Sequence, residues 1–181
     1  MSLLNEYYIV IISNPALKSV VLVIASIIAA KLVDIIFTFI FKRLVDKTKT
    51  SLDDKILQLL HKPIFYSILF IGFSVAVKTA TLPEYIDFFL VGIFKTITII
   101  IWLFVSSKIL VMSMEWASRQ TTSTLLQKNT LPLFNNLGKI AIGLFGVYFI
   151  FLSWDINING ILASAGVLGV VLGLAAKDTV A

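Results

Sequence analysis

Long apolar stretches separated by short polar segments make up most of this 181-residue chain. A transmembrane helix needs about 20 mainly apolar residues, and four stretches are of about that length: 16–41, 64–82, 88–114 and 135–153. A fifth stretch, 156–176, contains no charged residue. The pattern therefore predicts an all-α integral membrane protein with about five transmembrane helices.

The polar connections predict how these helices are oriented. The connection 42–62 carries six basic and three acidic residues, whereas the turn at 83–87 carries no basic residue. Because basic connections tend to stay in the cytoplasm, we expect the amino terminus outside, the carboxyl terminus inside, and the connections 42–62 and 115–134 in the cytoplasm. Within the first connection, a capping box at 51–54 predicts a short amphipathic helix that ends at Pro63.

Composition narrows the function classes. Hydrophobic residues make up 59% of the chain and charged residues 14%, and the mean hydropathy is +0.99. Soluble domains are closer to half apolar and a quarter charged, so a soluble enzyme is excluded. Without cysteine and with one histidine, the chain offers no set of catalytic or metal-binding residues, and we expect no enzymatic activity and no cofactor. The net charge of +5 reflects membrane orientation rather than nucleic-acid binding, since basic residues cluster in one connection.

Two charged residues, Lys31 and Asp34, fall inside the first apolar stretch. They are three residues apart and so share one face of a helix. A charged residue within a membrane raises the hypothesis of an ion relay. The alternative, which we favour, is a pair that satisfies itself and reaches toward the inner headgroups. His61 is interpreted as an interfacial residue rather than a ligand.

The last apolar stretch contains four of the nine glycines of the chain. In helical geometry one face carries small residues at intervals of three or four, and such a ladder lets a neighbouring helix approach closely. An adjacent stripe combines small and larger apolar residues with one terminal charge. The ladder consists of Ala165, Gly169, Gly173 and Ala176, and the stripe of Ala163, Gly166, Val170, Leu174 and Lys177. The spacing fits a helix in a ring around an axis and, equally well, a helix buried in a compact bundle.

The segment 166–178, GVLGVVLGLAAKD, is similar to the pore-lining helix of the small-conductance mechanosensitive channel (MscS-like) family. The resemblance implies a ring of copies, seven in number, in which this helix surrounds a central pore. It also implies that Val170 and Leu174 form the pore constriction. This chain has Val167 and Val171 where many members have alanine. It has Asp178 where some members have a hinge glycine, so a kink at Lys177 and Asp178 would need another cause.

The expected function is that of a channel subunit in the cell (inner) membrane, opened by membrane tension and releasing ions and small solutes on osmotic downshock. Residues 1–155 would hold the lipid-facing sensor helices, and 156–181 the pore-lining helix. Members of the family also have a cytoplasmic vestibule domain, for which we expect no counterpart within these 181 residues. Expected partners are further copies of the chain, membrane lipids and the permeating ions. Two alternatives are a secondary transporter and a membrane scaffold that does not conduct.

Overall fold

The computed structural model describes residues 14–45, 51–120 and 130–180, which form α-helices joined by turns. The five helices are α1 (Pro15–Val45), α2 (Ser51–Thr79), α3 (Glu84–Gln120), α4 (Leu131–Ser153) and α5 (Asn159–Val180). The first four are long and apolar enough to cross a membrane, whereas the apolar part of α5, Asn159–Ala175, is shorter. The all-α prediction is confirmed for these residues. Four of the five predicted spans have the full length of a membrane span.

Helices α1 to α4 lie side by side in a row, each packed mainly against its neighbours in sequence. Neighbouring helices are antiparallel, because early residues of one helix contact late residues of the next. A row leaves both of its faces uncovered, so few side chains among the described residues are buried. The buried ones are mostly small and are Ser26, Ala30, Ala76, Val91, Val105, Ile158 and the ring of Pro63. Such wide apolar faces are stable in lipid rather than in water.

The predicted helix end at Pro63 is wrong. Pro63 lies inside α2, which runs without a break from Ser51 to Thr79. Proline has no N–H to donate to the carbonyl of Leu59, but transmembrane helices tolerate this loss when neighbouring groups pack around the site. The side chain of Pro63 is fully buried, in agreement with that account. The amphipathic segment and the second predicted span are therefore one helix.

Two glycines of α4 determine how closely it approaches α3. A Cβ atom added at Gly146 would overlap the side chain of Leu103, and one added at Gly138 would overlap that of Leu110. The leucine side chains of α3 thus fill the space that the missing side chains of α4 leave. Gly143 has open space on its side of α4 instead. The α3–α4 contact therefore depends on Gly138 and Gly146 but not on Gly143.

Replacing Gly146 with leucine should consequently destabilise the row. We expect Gly146→Leu to cost about 2 kcal/mol by overpacking, which corresponds to a melting temperature lower by about 4–8 °C. Thermal unfolding in detergent, followed by circular dichroism, measures this. Gly143→Leu is the matched control, because it makes the same change on the same helix where nothing is in contact. Equal melting temperatures for the two variants would contradict the packing described here.

Polar side chains lie at one level across the row. This level falls in the second half of α1 and of α3, and in the first half of α2 and of α4. The Trp102 indole N–H of α3 donates to Ser67 Oγ of α2 at 2.9 Å. Because the two helices are antiparallel, Lys108, six residues after Trp102, is level with His61, six residues before Ser67. Leu110 lies against Gly138, so Lys139 is at nearly the same height as Lys108. Asp34 of α1 reaches this level through its contact with His61. We call this set, Asp34, His61, Lys108 and Lys139, the polar belt.

A second group of polar residues marks the opposite end of the row. In α2, Lys78 lies 17 residues beyond His61, which is about 25 Å along a helix. At the end of α4, Asp155 lies 16 residues beyond Lys139, or about 24 Å. The hydrocarbon core of a bilayer is about 30 Å thick. The apolar part of the row between the two polar groups therefore has the height of a membrane, with the side chains of the lysines able to reach outward.

Candidate pore helix and its anchoring corner

The corner between α4 and α5 is a short, well-defined turn. Asp155 has a backbone φ of 53°, in the left-handed region that aspartate adopts more readily than most residues. The Ile156 N–H donates to the Phe151 carbonyl at 3.0 Å, which closes the end of α4. The Asn157 side-chain oxygen accepts from the Asn159 N–H at 3.0 Å, and α5 begins there. These bonds end α4 and set the start of α5 within about five residues.

Trp154 attaches this corner to α3. Its indole N–H donates to Thr96 Oγ1 at 2.9 Å. Its ring lies edge-on to Phe88 and Phe89, with centroid distances of 5.9 and 5.4 Å. The ring also lies over Gly92, where an added Cβ would be 3.2 Å from three indole carbons. The corner before α5 is therefore held against α3, by a side chain that sequence reasoning did not place in the site.

Helix α5 itself is hardly covered by the rest of the chain. Among the described residues it makes no more than isolated contacts with any other helix. Val170 and Leu174 are 64% and 62% exposed, and Leu168, on the far side of the helix, is 62% exposed. No atom of the described chain lies within 4 Å of a Cβ added at any of its four glycines. A helix that is apolar all round needs a cover on each side, and within the described chain α5 has none.

The structure places the predicted site residues along α5 without bringing them together with any second surface. The stripe residues with described side chains are exposed, as are those of the ladder: Ala163, Gly166, Val170, Leu174 and Lys177, and Ala165, Gly169 and Gly173. Ala176 and Asp178 lie within α5, but their side chains are outside the described set. The helix continues past Lys177 to Val180. Ring packing, the constriction and a kink therefore remain predictions.

The expected pairing of Lys31 with Asp34 is wrong. Asp34 instead accepts from His61 on α2, with 2.7 Å between Oδ1 and Nε2. Thr38, one turn further along α1, lies 3.3 Å from the same ring nitrogen. Sequence reasoning missed the contact because it links residues 27 positions apart, and the relative height of α1 and α2 cannot be derived from either helix alone. The acidic group of α1 thus connects two helices at the polar belt.

Comparison with known proteins agrees with the resemblance seen in the last helix. Residues 136–177, which are most of α4 and the greater part of α5, match the family model "Mechanosensitive ion channel, transmembrane helices 2/3". An uncharacterized MscS family protein of Aquifex aeolicus is 25% identical over 85% of this chain and 42% of its own length. The small-conductance mechanosensitive channel MscMJ of Methanocaldococcus jannaschii is 29% identical over 89% of this chain and 47% of its own length.

The chain thus spans less than half the length of these two curated relatives. No solved structure gives a significant match to it. The family model covers residues 166–177 of the segment from which the resemblance was inferred. Together with four helices of membrane-spanning length, the matches indicate a multi-pass membrane protein. This chain is similar to the membrane portion of the small-conductance mechanosensitive (MscS-like) channel family.

Proposed function

We propose that the protein is a subunit of a homo-oligomeric channel that opens under membrane tension, with α5 lining the pore. The observation that carries the proposal is the uncovered α5, which leaves a ladder of small residues open along its length. Small residues at this spacing let helices pack closely in lipid. Copies of α5 packed through Ala165, Gly169 and Gly173 would cover one another and leave the adjacent stripe facing an axis. The match of residues 136–177 to a channel-family model supports the same assignment.

Tension would act through the area of the ring. An open ring occupies more area in the plane of the membrane than a closed one, so tension shifts the population toward the open state. The row α1–α4 has both faces uncovered in the described chain and offers the larger lipid-contacting surface, which suits a sensor. Trp154 would pass movement of α3 to the start of α5, because its indole bonds Thr96 directly. In this way a displacement of the row would change the packing of the pore helices.

Val170 and Leu174 would form the closed gate. They lie one turn apart on the stripe, and both carry large apolar side chains. Repeated around a ring, they would form two apolar constrictions that exclude water and thereby stop ions. With the amino terminus outside and the carboxyl terminus inside, the gate would lie toward the cytoplasmic side. The open channel would conduct ions and release small solutes on osmotic downshock.

Suction applied to a patch of liposome membrane containing the purified protein tests the proposal. We expect single-channel currents that appear above a threshold of suction and disappear when it is released. A scaffold would give no current at any suction. A secondary transporter would move solute in the absence of tension, and cross-linking of the active protein would detect no ring. Either outcome would contradict the proposed channel.

Lys177 provides a separate test of which stripe faces the pore. Repeated around the inner mouth, it would attract anions, so Lys177→Glu should shift the reversal potential in a salt gradient toward cation preference. Lys62→Glu is the matched control, because Lys62 is equally charged and exposed but lies on α2. The shift is expected only for the α5 variant. A shift of the same size in both variants would mean that surface charge, not the pore mouth, is responsible.

A further inference from the structure

A cavity of about 630 Å³ opens on one side of the row, where α2, α3 and α4 meet near the polar belt. Three lysines, one from each helix, line it: Lys55, Lys108 and Lys139. All three side chains are exposed, so their ammonium groups are free to move within the cavity. The remaining lining is mostly apolar and includes Leu59, Phe104 and Val111. The cavity thus combines a charged rim with an apolar wall.

The positive charge of this cavity has no counterpart among the described residues that line it. None of those residues is acidic, and none of the three lysines forms an ion pair with an acidic side chain of the described chain. Three like charges around one cavity repel one another and attract an anion. A ligand with a negative group would therefore fit the rim far better than a neutral one.

The position of the cavity along the helix axes indicates which kind of anion it binds. Lys108 and Lys139 belong to the polar belt, at the edge of the apolar part of the row. Phe104 lies one turn nearer the membrane centre than Lys108 and is 68% exposed. Lys55 lies four residues from the start of α2, beyond the polar belt and further from the membrane centre. An anion bound by the lysines would thus sit at headgroup height, with an apolar chain running down along Phe104.

We infer that this cavity binds an anionic phospholipid, whose phosphate lies among the three lysines and whose acyl chain packs on the apolar wall. The inference is independent of the pore function of α5, since the described residues that line the cavity all belong to α2, α3 and α4. Such a lipid would join three helices that otherwise pack only in sequence order. It would therefore strengthen the row at the polar belt.

Native mass spectrometry of the detergent-solubilised protein tests the inference. Phosphatidylglycerol and phosphatidylcholine with identical acyl chains are titrated, and the bound lipids are counted. We expect the wild type to bind the first lipid more tightly. Each lysine should contribute roughly fivefold, so Lys108→Gln/Lys139→Gln should lose the preference by about 20-fold or more. Equal affinity of the wild type for both lipids would overturn the inference.

Lys78→Gln/Lys95→Gln is the matched control. It removes the same charge from α2 and α3, but neither lysine lines this cavity. We expect it to keep the preference for phosphatidylglycerol, and an equal loss in both double variants would refute the site. Lys108→Arg/Lys139→Arg keeps both charges and should retain the preference. Melting temperatures in phosphatidylcholine verify that each variant is folded before its affinity is compared.

A competition experiment distinguishes binding of a lipid from binding of free phosphate. Millimolar inorganic phosphate should not displace phosphatidylglycerol, because phosphate alone cannot contact the apolar wall. Displacement at that concentration would show that the cavity binds a free anion and would overturn the lipid assignment. Addition of phosphatidylglycerol should also raise the melting temperature of the wild type and not that of Lys108→Gln/Lys139→Gln. A rise of equal size in both would again contradict the inference.

Discussion

Val170→Ser and Leu174→Ser are expected to open at markedly lower membrane tension than the wild type, or to leak without tension. Burial of a large aliphatic side chain is worth about 1.5–3 kcal/mol, and a ring applies the loss once for each subunit. A hydroxyl at the constriction would also hold water in a gap that is otherwise dry. Together these effects should remove most of the barrier to opening. Patch recordings under graded suction measure the threshold, and growth of expressing cells reports a leak.

Leu168→Ser is the control for this experiment. Leu168 lies on the opposite side of α5 from the stripe and is as exposed as Leu174, at 62% for both residues. A serine there changes helix propensity and apolar area in the same way as Leu174→Ser. We therefore expect a threshold near that of the wild type. If Leu168→Ser leaks as much as Leu174→Ser, the assignment of the pore-facing stripe is wrong.

Gly169→Leu and Gly173→Leu are expected to abolish the ring or to reduce it to smaller species. A leucine on the ladder would hold adjacent copies of α5 several ångströms further apart, and every interface in the ring would carry the same defect. Within a single chain both positions face open space, so the variants should still fold. Native mass spectrometry and cross-linking in detergent measure the distribution of oligomers.

Gly160→Leu provides the comparison for the ladder. Gly160 also has nothing within 4 Å in the described chain, and it lies in the first turn of α5, five residues before the first ladder residue, Ala165. Leucine at this position should leave the oligomer distribution unchanged. An unchanged distribution in the two ladder variants would remove the ladder from the subunit interface. Loss of the ring in all three variants would point instead to a general intolerance of bulk on α5.

The length and apolar character of the helices could be predicted from the sequence because each depends on a single segment. About 20 apolar residues suffice to indicate a span, whatever the rest of the chain does. Boundaries were less accurate: α3 extends past the predicted 88–114 at both ends, and α5 begins at Asn159 rather than 156. At Pro63 a local rule was applied to a position where tertiary packing decides the outcome. The side chain is fully buried, and the helix continues through it.

The contacts between helices could not be predicted in the same way. The Asp34–His61 pair, the Trp154–Thr96 bond and the three-lysine cavity each depend on the relative heights of two or three helices. A hydrophobic pattern contains no information about those heights. The sequence did contain one indication of the Trp154 contact. Gly92 and Thr96, one turn apart on α3, form a small, polar recess that a tryptophan can occupy. The candidate stripe on α5, by contrast, was inferred from spacing, and its constriction residues were inferred from the family resemblance; both inferences await the gating experiment.

The row of four helices also has a mechanical consequence. Because each helix is attached mainly to its sequence neighbours, a load applied at α1 reaches α4 through three contacts in series. In a series the most compliant contact takes up most of the displacement, so stiffening any other contact changes little. Trp154 adds a parallel connection from α3 to the start of α5, around the α3–α4 contact. In the proposed channel, sensitivity to tension would then be set mainly at the α1–α2 and α2–α3 contacts, away from α5.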